Sequence, residues 1–137
     1  MRVFVDTSAV LAALHAGDRR HPEAAQWLTG AGADAALVTS DHVVIEACAL
    51  IHARLGTAAA VDFVNDWLPA IETHPVDEQV LLRGIAAFRS TLSRTSPSLV
   101  DCTSFELMRT LGIRHAFAFD THFRAAGFEL VAGAAWA

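Results

Sequence analysis

Short, wholly apolar segments alternate with longer segments of helical periodicity, and this alternation restricts the fold more than any other feature of the sequence. Apolar strands separated by helices indicate a parallel sheet that is covered by helices on both faces. We therefore expect an α/β fold, a three-layer α/β/α sandwich around a mainly parallel sheet. The strand candidates are residues 2–5, 35–40, 71–76, 116–119 and 128–132.

Capping residues and breakers mark the helix boundaries. Ser40 and Ser98 precede helical runs as N-caps do, and Thr57 lies where it could cap another. Glycine follows two of the runs, at Gly56 and Gly112, as expected at helix C-termini. The expected helices are 8–15, one opened by Pro22, 41–55, 57–67, 77–92 and one from Ser98 to 111, with 93–98 as the clearest loop.

The chain of 137 residues is expected to form one domain, residues 1–137, with a single core. Its hydrophobic fraction of 53% is high, yet no apolar stretch approaches the roughly 20 residues of a membrane helix. No segment resembles a secretory signal, so we expect a cytoplasmic protein that does not enter a membrane. The apolar excess then predicts a buried partner interface or a dimer.

The charged residues leave the function open. A net charge of −5 argues mildly against a general nucleic-acid binder, but all ten basic residues are arginines, whose planar forks suit phosphates. Cys48 and Cys102 lie in helical patterns without metal-ligand spacing, so we expect buried apolar roles for both.

Two of the apolar strands lead into a carboxylate. The segment VFVDTS places Asp6 directly after the first strand, and AFAFDTHF places Asp120 after a later one. In open α/β sheets, ligands bind outside the carboxyl ends of the strands where the strand order reverses. Each aspartate could instead cap the helical turn that follows it.

Asp101 also has two interpretations. With Ser98 it forms a Ser-x-x-acid capping box, which alone would explain it. On a helix, however, its neighbours at spacings of three, four and seven are Ser104, Phe105 and Met108. That face is directed to the core, where a solvated cap is not expected.

Glu46 lies in VVIEACALI, on an apolar helical face. A buried charge without a partner is strongly penalised, so Glu46 must find one. An ion pair with Arg54 or Arg2 is the ordinary alternative to a functional role.

Convergence of these four acids would require a cation. Two unit charges about 4 Å apart repel by roughly 4 kcal/mol at an effective dielectric constant of 20, so such a cluster must bind protons or metal. An all-oxygen site selects Mg²⁺ or Mn²⁺, and two such ions suit phosphodiester hydrolysis. Zinc-type histidine spacings, phosphate-binding loops, dinucleotide fingerprints and nucleophile elbows do not occur in the sequence.

Four acidic motifs, in this order and spacing, resemble the PIN-domain family, and within it the VapC toxins of type II toxin–antitoxin pairs: VFVDTSAVLA, TSDHVVIEA, SLVDCTSFELMRTLGI and AFAFDTHF. The resemblance covers essentially the whole chain and implies a Mg²⁺- or Mn²⁺-dependent ribonuclease. It implies catalytic and metal-binding roles for Asp6, Glu46, Asp101 and Asp120. Asp6 and Asp101 are the first candidates for direct metal ligands, while Glu46 and Asp120 would complete the site directly or through water.

The resemblance bears on smaller features as well. Ser8 matches a hydroxyl beside the first aspartate, although it could equally be a helix cap. Ala118 replaces a commoner threonine and removes a possible supporting hydroxyl. His122 matches an often basic position that could contact RNA, but a surface histidine is the simpler interpretation. Phosphates could contact Arg83, Arg89 and Arg94, for which ordinary solvation is the favoured alternative.

The implied partners are an RNA substrate, a cognate VapB-type antitoxin and a second copy of the chain in a homodimer. Trp27 and Trp67 lie on amphipathic helices of the kind that build such interfaces, although core packing is the default for both. The antitoxin would insert a peptide, often with an arginine, toward the acidic site.

Two rival hypotheses remain beside the ribonuclease toxin. A non-catalytic PIN-like domain could bind RNA or an antitoxin without cutting. An aspartyl-phosphate enzyme could use Asp6, but its common form needs a second aspartate two residues later, where this chain has Ser8.

Overall fold

A computed structural model describes residues 1–133 of the chain. The strands are β1 (Arg2–Val5), β2 (Ala36–Ser40), β3 (Glu72–His74), β4 (His115–Phe117) and β5 (Glu129–Leu130). The helices are α1 (Thr7–Leu14), α2 (His21–Thr29), α3 (Asp41–Leu55), α4 (Thr57–Asp62), α5 (Glu78–Ser90), α6 (Leu99–Leu111) and α7 (His122–Ala125).

The five strands form one sheet in the order β3-β2-β1-β4-β5, and every neighbouring pair is parallel. The chain first builds outward from β1 through β2 to β3, and then returns to add β4 and β5 on the other side. The strand order therefore reverses between β1 and β4, which places the expected ligand-binding crevice at the carboxyl ends of these two strands.

Alternate residues of β1 face two separate cores. Val3 and Val5 pack with α1, α2 and the second half of α3, and both are almost fully buried. Phe4 faces the opposite side, where it packs with residues of α5, α6 and α7. This period-2 division of apolar side chains produces helices on both faces of the sheet. The predicted α/β/α sandwich with a parallel sheet is confirmed.

The segment after α3 differs from the continuous helix 57–67. Gly56, not Thr57, is the N-cap of α4, and the Thr57 hydroxyl lies 3.2 Å from His52 Nε2. After Asp62 the backbone widens into a π-helical turn (Phe63–Trp67) and then tightens into a 3-10 turn (Leu68–Ala70). Pro69 has no N–H group to continue the ladder, so a regular helix cannot pass it.

The contact between α5 and α6 depends on a glycine. A Cβ atom on Gly84 would lie 2.7 Å from Thr103 Cγ2 and 3.1 Å from the Thr103 backbone nitrogen. The missing side chain lets the two helices approach closely, just after the start of α6. At the other end of α6, Gly112 takes φ +69 and ends the helix in the left-handed conformation, as predicted.

Helix length bears on the question of a membrane. The longest helix among residues 1–133 is α3, with 15 residues. No described helix has the length and apolar character needed to span a bilayer.

Candidate metal centre

Asp6 lies at the point where the strand order reverses. It follows β1 directly, continues the ladder by donating its backbone N–H to the Phe117 carbonyl at 3.0 Å, and is only 4% exposed. Its Oδ2 caps α1 by accepting from the Ser8 backbone N–H at 3.1 Å. The same oxygen accepts from the Ser8 hydroxyl at 2.6 Å. Among the described residues, Asp6 Oδ1 has no hydrogen-bond donor.

Ser8 does not cap a helix, because Asp6 holds that position. Its hydroxyl accepts a hydrogen bond from the Phe119 backbone N–H at 3.0 Å and donates to Asp6. Ser8 therefore connects Asp6 with the segment that leads from β4 to Asp120, and the cap interpretation of Ser8 was wrong.

Asp101 forms the predicted capping box. Ser98 Oγ accepts from the Asp101 N–H at 3.1 Å, and Asp101 Oδ2 accepts from the Ser98 N–H at 3.0 Å. Asp101 is nevertheless buried, at 8% exposure, as the apolar face of α6 indicated. One oxygen satisfies the cap, and within residues 1–133 Oδ1 receives no hydrogen bond. The capping and functional interpretations are therefore compatible.

Asp120 does not end a strand. β4 stops at Phe117, so Ala118 and Phe119 separate it from the carboxylate, and the expected strand over 116–119 was wrong in its boundaries. The chain leaves the ladder there because Ser8 Oγ accepts the Phe119 N–H. Asp120 Oδ1 accepts from the His122 backbone N–H at 2.9 Å, which fixes the turn into α7.

Glu46 has no arginine partner. It is half-buried on α3, and among the described residues it takes part in no hydrogen bond or ion pair. Arg2 donates instead to the Leu111 carbonyl at 3.0 Å, and Arg54 lies exposed at the end of α3. The ion-pair alternative for Glu46 was wrong. Its carboxylate is instead close enough to Asp101 to raise the pKa of that group.

The four acids share one electrostatic environment. The pKa of Asp6 is raised to about 7, chiefly by burial and also by the carboxylates of Asp101 and Asp120, against the lowering effect of the Ser8 hydrogen bonds. Burial likewise raises the pKa of Asp101 to about 6, with contributions from Asp120 and Glu46. A chain of repulsive pairs therefore joins all four carboxylates.

The donor set fits a divalent cation. Nδ1 of His122 and one oxygen each of Asp101 and Asp120 lie within 4.8 Å of one another. No arginine within residues 1–133 forms an ion pair with any of the four acids. Each of the three aspartates is held by a backbone cap, and no donor within the described part of the chain reaches its other oxygen. Oxygen-rich, uncompensated negative sites of this kind suit hard divalent ions.

His122 is part of this cluster and is also partly exposed, as its interpretation as a surface histidine predicted. Its Nε2 lies 2.7 Å from the Thr95 carbonyl, and its Nδ1 lies 2.8 Å from Asp120 Oδ1 and 4.0 Å from Asp101 Oδ2. The Thr95 hydrogen bond and the two carboxylates raise the pKa of His122. The signal in the sequence was the Asp-x-His spacing, because an aspartate turn brings the residue two positions on against its carboxylate.

The three arginines proposed for RNA occupy different positions. Arg83 forms an ion pair with Glu106 at 3.4 Å and contacts Thr110 at 3.2 Å, on the C-terminal half of α6. Arg89 is exposed on α5. Arg94 is also exposed, and it directly precedes Thr95, whose carbonyl contacts His122. Arg94 is therefore the arginine of the three whose backbone adjoins the acidic cluster.

A second surface feature lies on the outer side of α3. An open apolar groove of about 620 Å³, here called the α3–α4 groove, separates α3 from α4 and the π-helical turn. Its exposed walls include Ile45, Val61 and Val64, which are 68%, 49% and 45% exposed. Cys48 also lines it, whereas Cys102 is buried as expected. Trp27 is a core residue at 3% exposure, and its ring centroid lies 4.6 Å from that of Phe117.

Comparison with known proteins identifies relatives over almost the whole chain. The PIN domain family model matches residues 3–129. The 23S rRNA-specific endonuclease VapC20 of Mycobacterium tuberculosis is 37% identical over 135 residues, which cover 92% of this chain and 95% of that protein. The crystal structure of the same VapC20, described as a sarcin–ricin loop cleaving toxin, matches with a TM-score of 0.84 and 34% identity, over 96% of this chain and 99% of that chain.

More distant structures share the fold alone. VapBC2 from Rickettsia felis, bound to a DNA fragment from its promoter, matches with a TM-score of 0.67 and 9% identity over 95% of this chain and 97% of that chain. FitAcB from Neisseria gonorrhoeae matches with a TM-score of 0.65 and 16% identity, over 95% of this chain and 96% of that chain. The arrangement of strands and helices thus persists where little sequence similarity remains.

Proposed function

Because the chain belongs to the PIN-domain family, we propose that it is a Mg²⁺- or Mn²⁺-dependent endoribonuclease and the toxin of a toxin–antitoxin pair. One observation carries the proposal: four carboxylates converge at the carboxyl edge of the sheet without a compensating arginine among the described residues, and their charges help to raise the pKa of Asp6 and Asp101. A site of this kind destabilises the fold unless a cation binds, so its retention favours a function that uses the cation.

In this proposal the residues have distinct roles. Asp6 and Asp101 would bind the metal directly, and Asp6 would do so through Oδ1, the oxygen that its cap leaves unused. Glu46 and Asp120 would complete the site directly or through water. Ser8 would act as a positioning residue, because its hydroxyl fixes Asp6 Oδ2 and the Phe119 backbone together.

A metal ion held by these residues would supply an activated water and neutralise the charge that develops on the leaving oxygen of the phosphodiester. The protein supplies a rigid frame for that chemistry. Asp6 is held at a helix start and a strand end, and Asp101 is held by a two-way capping box. Such caps fix the carboxylates before substrate binds, which limits the reorganisation needed in the transition state.

The proposed substrate is ribosomal RNA. VapC20 is named as a 23S rRNA-specific, sarcin–ricin loop cleaving enzyme, and the identity of 37% extends over nearly both full chains. We therefore propose the sarcin–ricin loop of 23S rRNA as the first substrate to test. We propose a cytoplasmic location, because the proposed substrate is part of the ribosome.

The test of this proposal is cleavage of a hairpin RNA with the sarcin–ricin loop sequence in the presence of Mg²⁺ or Mn²⁺. Asp6→Asn and Asp101→Asn should each reduce the rate by about 10³-fold, since each removes a charge that holds the metal. Asp77→Asn is the matched control, because Asp77 also caps a helix, accepting from Val80 N–H at 2.9 Å, and it is not among the carboxylates that act on Asp6 and Asp101. Wild-type protein that binds the RNA without cutting it would instead indicate the non-catalytic binding domain.

The proposed antitoxin contact is the α3–α4 groove. A concave apolar groove accepts the apolar ridge of a helix, whereas it does not complement a second copy of itself across a two-fold axis. The VapBC2 structure contains a chain with the same fold as this protein, and the relative VapC20 is described as a toxin. We therefore assign an apolar antitoxin helix to this groove. The homodimer stays a prediction, and loss of self-association in a groove variant would assign the groove to that interface instead.

A further inference from the structure

We propose that His122 is a metal ligand of this site, so that the centre contains one nitrogen donor beside its carboxylates. The inference rests on the proposed function, because it concerns the same metal. It changes the all-oxygen donor set expected from the sequence to a mixed one.

The hydrogen bond to Thr95 determines which ring nitrogen is free. A backbone carbonyl only accepts, so the 2.7 Å contact requires that Nε2 carry the hydrogen and donate it to Thr95. In the neutral ring, Nδ1 then has a lone pair. This arrangement, with one ring nitrogen bound to a carbonyl and the other free, is common in histidines that ligate metals.

The free nitrogen lies inside the carboxylate cluster. Nδ1 is buried and lies only 2.8 Å from Asp120 Oδ1, yet the two atoms are not aligned as in a regular hydrogen bond. Asp101 Oδ2 lies 4.0 Å from the same nitrogen. A lone pair held against carboxylate oxygens is unfavourable unless a proton or a metal ion lies between them, and a metal ion replaces the proton when it binds.

The separations match those of ligands on one ion. Two ligands about 2.1 Å from an octahedral metal are about 3 Å apart at adjacent positions and about 4.2 Å apart at opposite ones. The distances of 2.8 Å and 4.0 Å from Nδ1 correspond to these values. The protein therefore holds His122, Asp101 and Asp120 at spacings that require little movement to bind one ion.

The loop 93–98 gives this ligand its support. Thr95 lies in that loop, which connects α5 with the capping box of Asp101. A single short segment therefore positions both the histidine ring and the aspartate. Because imidazole favours later transition metals than carboxylate does, the mixed donor set should prefer Mn²⁺ over Mg²⁺ more strongly than an all-oxygen site would.

Pulsed electron paramagnetic resonance on the Mn²⁺-bound full chain tests the proposal directly. The protein is labelled with ¹⁵N only in its histidine rings, so that a ¹⁵N coupling to the manganese identifies a ring ligand. The coupling is expected in wild type and in His15→Ala, whose histidine is exposed at the far end of α1. It should disappear in His122→Ala and in His122→Asn.

The affinity measurement separates ligation from folding. His122→Ala should weaken Mn²⁺ binding by about tenfold or more and Mg²⁺ binding less. His122→Asn, which places an amide oxygen near the position of Nδ1, should recover part of the Mn²⁺ affinity without the coupling. Mn²⁺ that binds wild type without ring coupling would overturn this inference and leave the proposed function standing. Wild type that binds no Mn²⁺ would overturn both.

Discussion

The carboxyl edge of the sheet and the α3–α4 groove share one helix and have opposite chemistry. Glu46 of α3 belongs to the acidic cluster, whereas its neighbour Ile45 forms a wall of the groove at 68% exposure. At one region the chain buries charges that repel, and at the other it exposes apolar surface that water disfavours. Each is costly to the isolated fold, and in the proposed function each would be relieved by a different binding partner, a cation or an apolar helix. The comparison indicates that α3 contributes to two different proposed sites. Substitutions at its adjacent positions 45 and 46 should therefore affect one site without the other.

Between the two regions that α3 joins, the largest expected effect comes from Glu46→Gln. Loss of this charge should reduce metal-dependent RNA cleavage by about 100-fold, because Glu46 contributes to the negative potential around Asp101. Partner binding, measured by calorimetry with the antitoxin, should be unchanged. Cleavage at the wild-type rate would remove Glu46 from the site and reduce the proposed centre to three aspartates and a histidine.

The reciprocal substitution is Ile45→Asp. A charge on the exposed wall of the groove should weaken antitoxin binding by about 30-fold or more, as expected for an apolar contact at an interface centre. Cleavage and thermal stability should be retained, because Ile45 is solvent-exposed. Val61→Asp, across the groove, should have the same effect. If Ile45→Asp left antitoxin binding intact, the assignment of the groove would be wrong.

A smaller effect concerns stability and pH. The pKa of Asp6 is 3.8 in the unfolded chain and about 7 in the fold, so between these values the folded state holds a proton that the unfolded state has lost. The contribution of Asp6 to the free energy of unfolding of the metal-free protein should therefore be greatest below about pH 4 and should fall as the pH rises toward 7. Asp6→Asn removes the cost of ionisation and should raise the free energy of unfolding at pH 8 by about 2 kcal/mol.

Urea unfolding with a chelator at pH 5 and pH 8 measures this difference. Asp77→Asn should show the wild-type pH dependence, because Asp77 is an exposed cap. Mn²⁺ should raise the free energy of unfolding of the wild-type protein at pH 8 and should have little effect on that of Asp6→Asn. If Asp6→Asn were less stable than wild type at pH 8, the stabilisation of ionised Asp6 by its Ser8 hydrogen bonds would outweigh the cost of burying its charge.

The smallest effect is expected on RNA binding. Arg94→Ala should weaken binding of the hairpin RNA by about threefold to tenfold, because Arg94 lies beside the loop carbonyl that holds His122. The slope of log K against log salt concentration should fall by about the amount expected for one phosphate contact. Arg83→Ala is the control, since its guanidinium is committed to Glu106 and Thr110. Equal losses in both variants would indicate a general charge effect.

Sequence reasoning predicted the fold and family because the signals were local and repeated. The period-2 division of Val3, Phe4 and Val5 between two cores follows from the apolar pattern alone, and the four ordered acidic motifs led to the PIN family, which the match to residues 3–129 confirms. The capping box at Ser98 and Asp101 was also visible, because its partners are three residues apart.

The remaining details depended on contacts between distant residues. Ser8 Oγ accepts the Phe119 N–H across 111 positions, which ends β4 earlier than its apolar sequence predicts. His122 joins the acids because Thr95 holds its ring, and nothing in either local sequence indicates that contact. The missing partner of Glu46 likewise required the positions of Arg2 and Arg54 in space. Such tertiary contacts override local patterns, and they define the finer geometry of the site.

The central claim is that this carboxylate cluster binds a divalent cation, and calorimetric titration of the purified protein with Mn²⁺ at pH 7.5 tests it most directly. Wild type and Asp77→Asn should give the same saturable binding, and Asp101→Asn should bind at least about tenfold more weakly. Equal binding by Asp101→Asn, or no binding by wild type, would contradict the account.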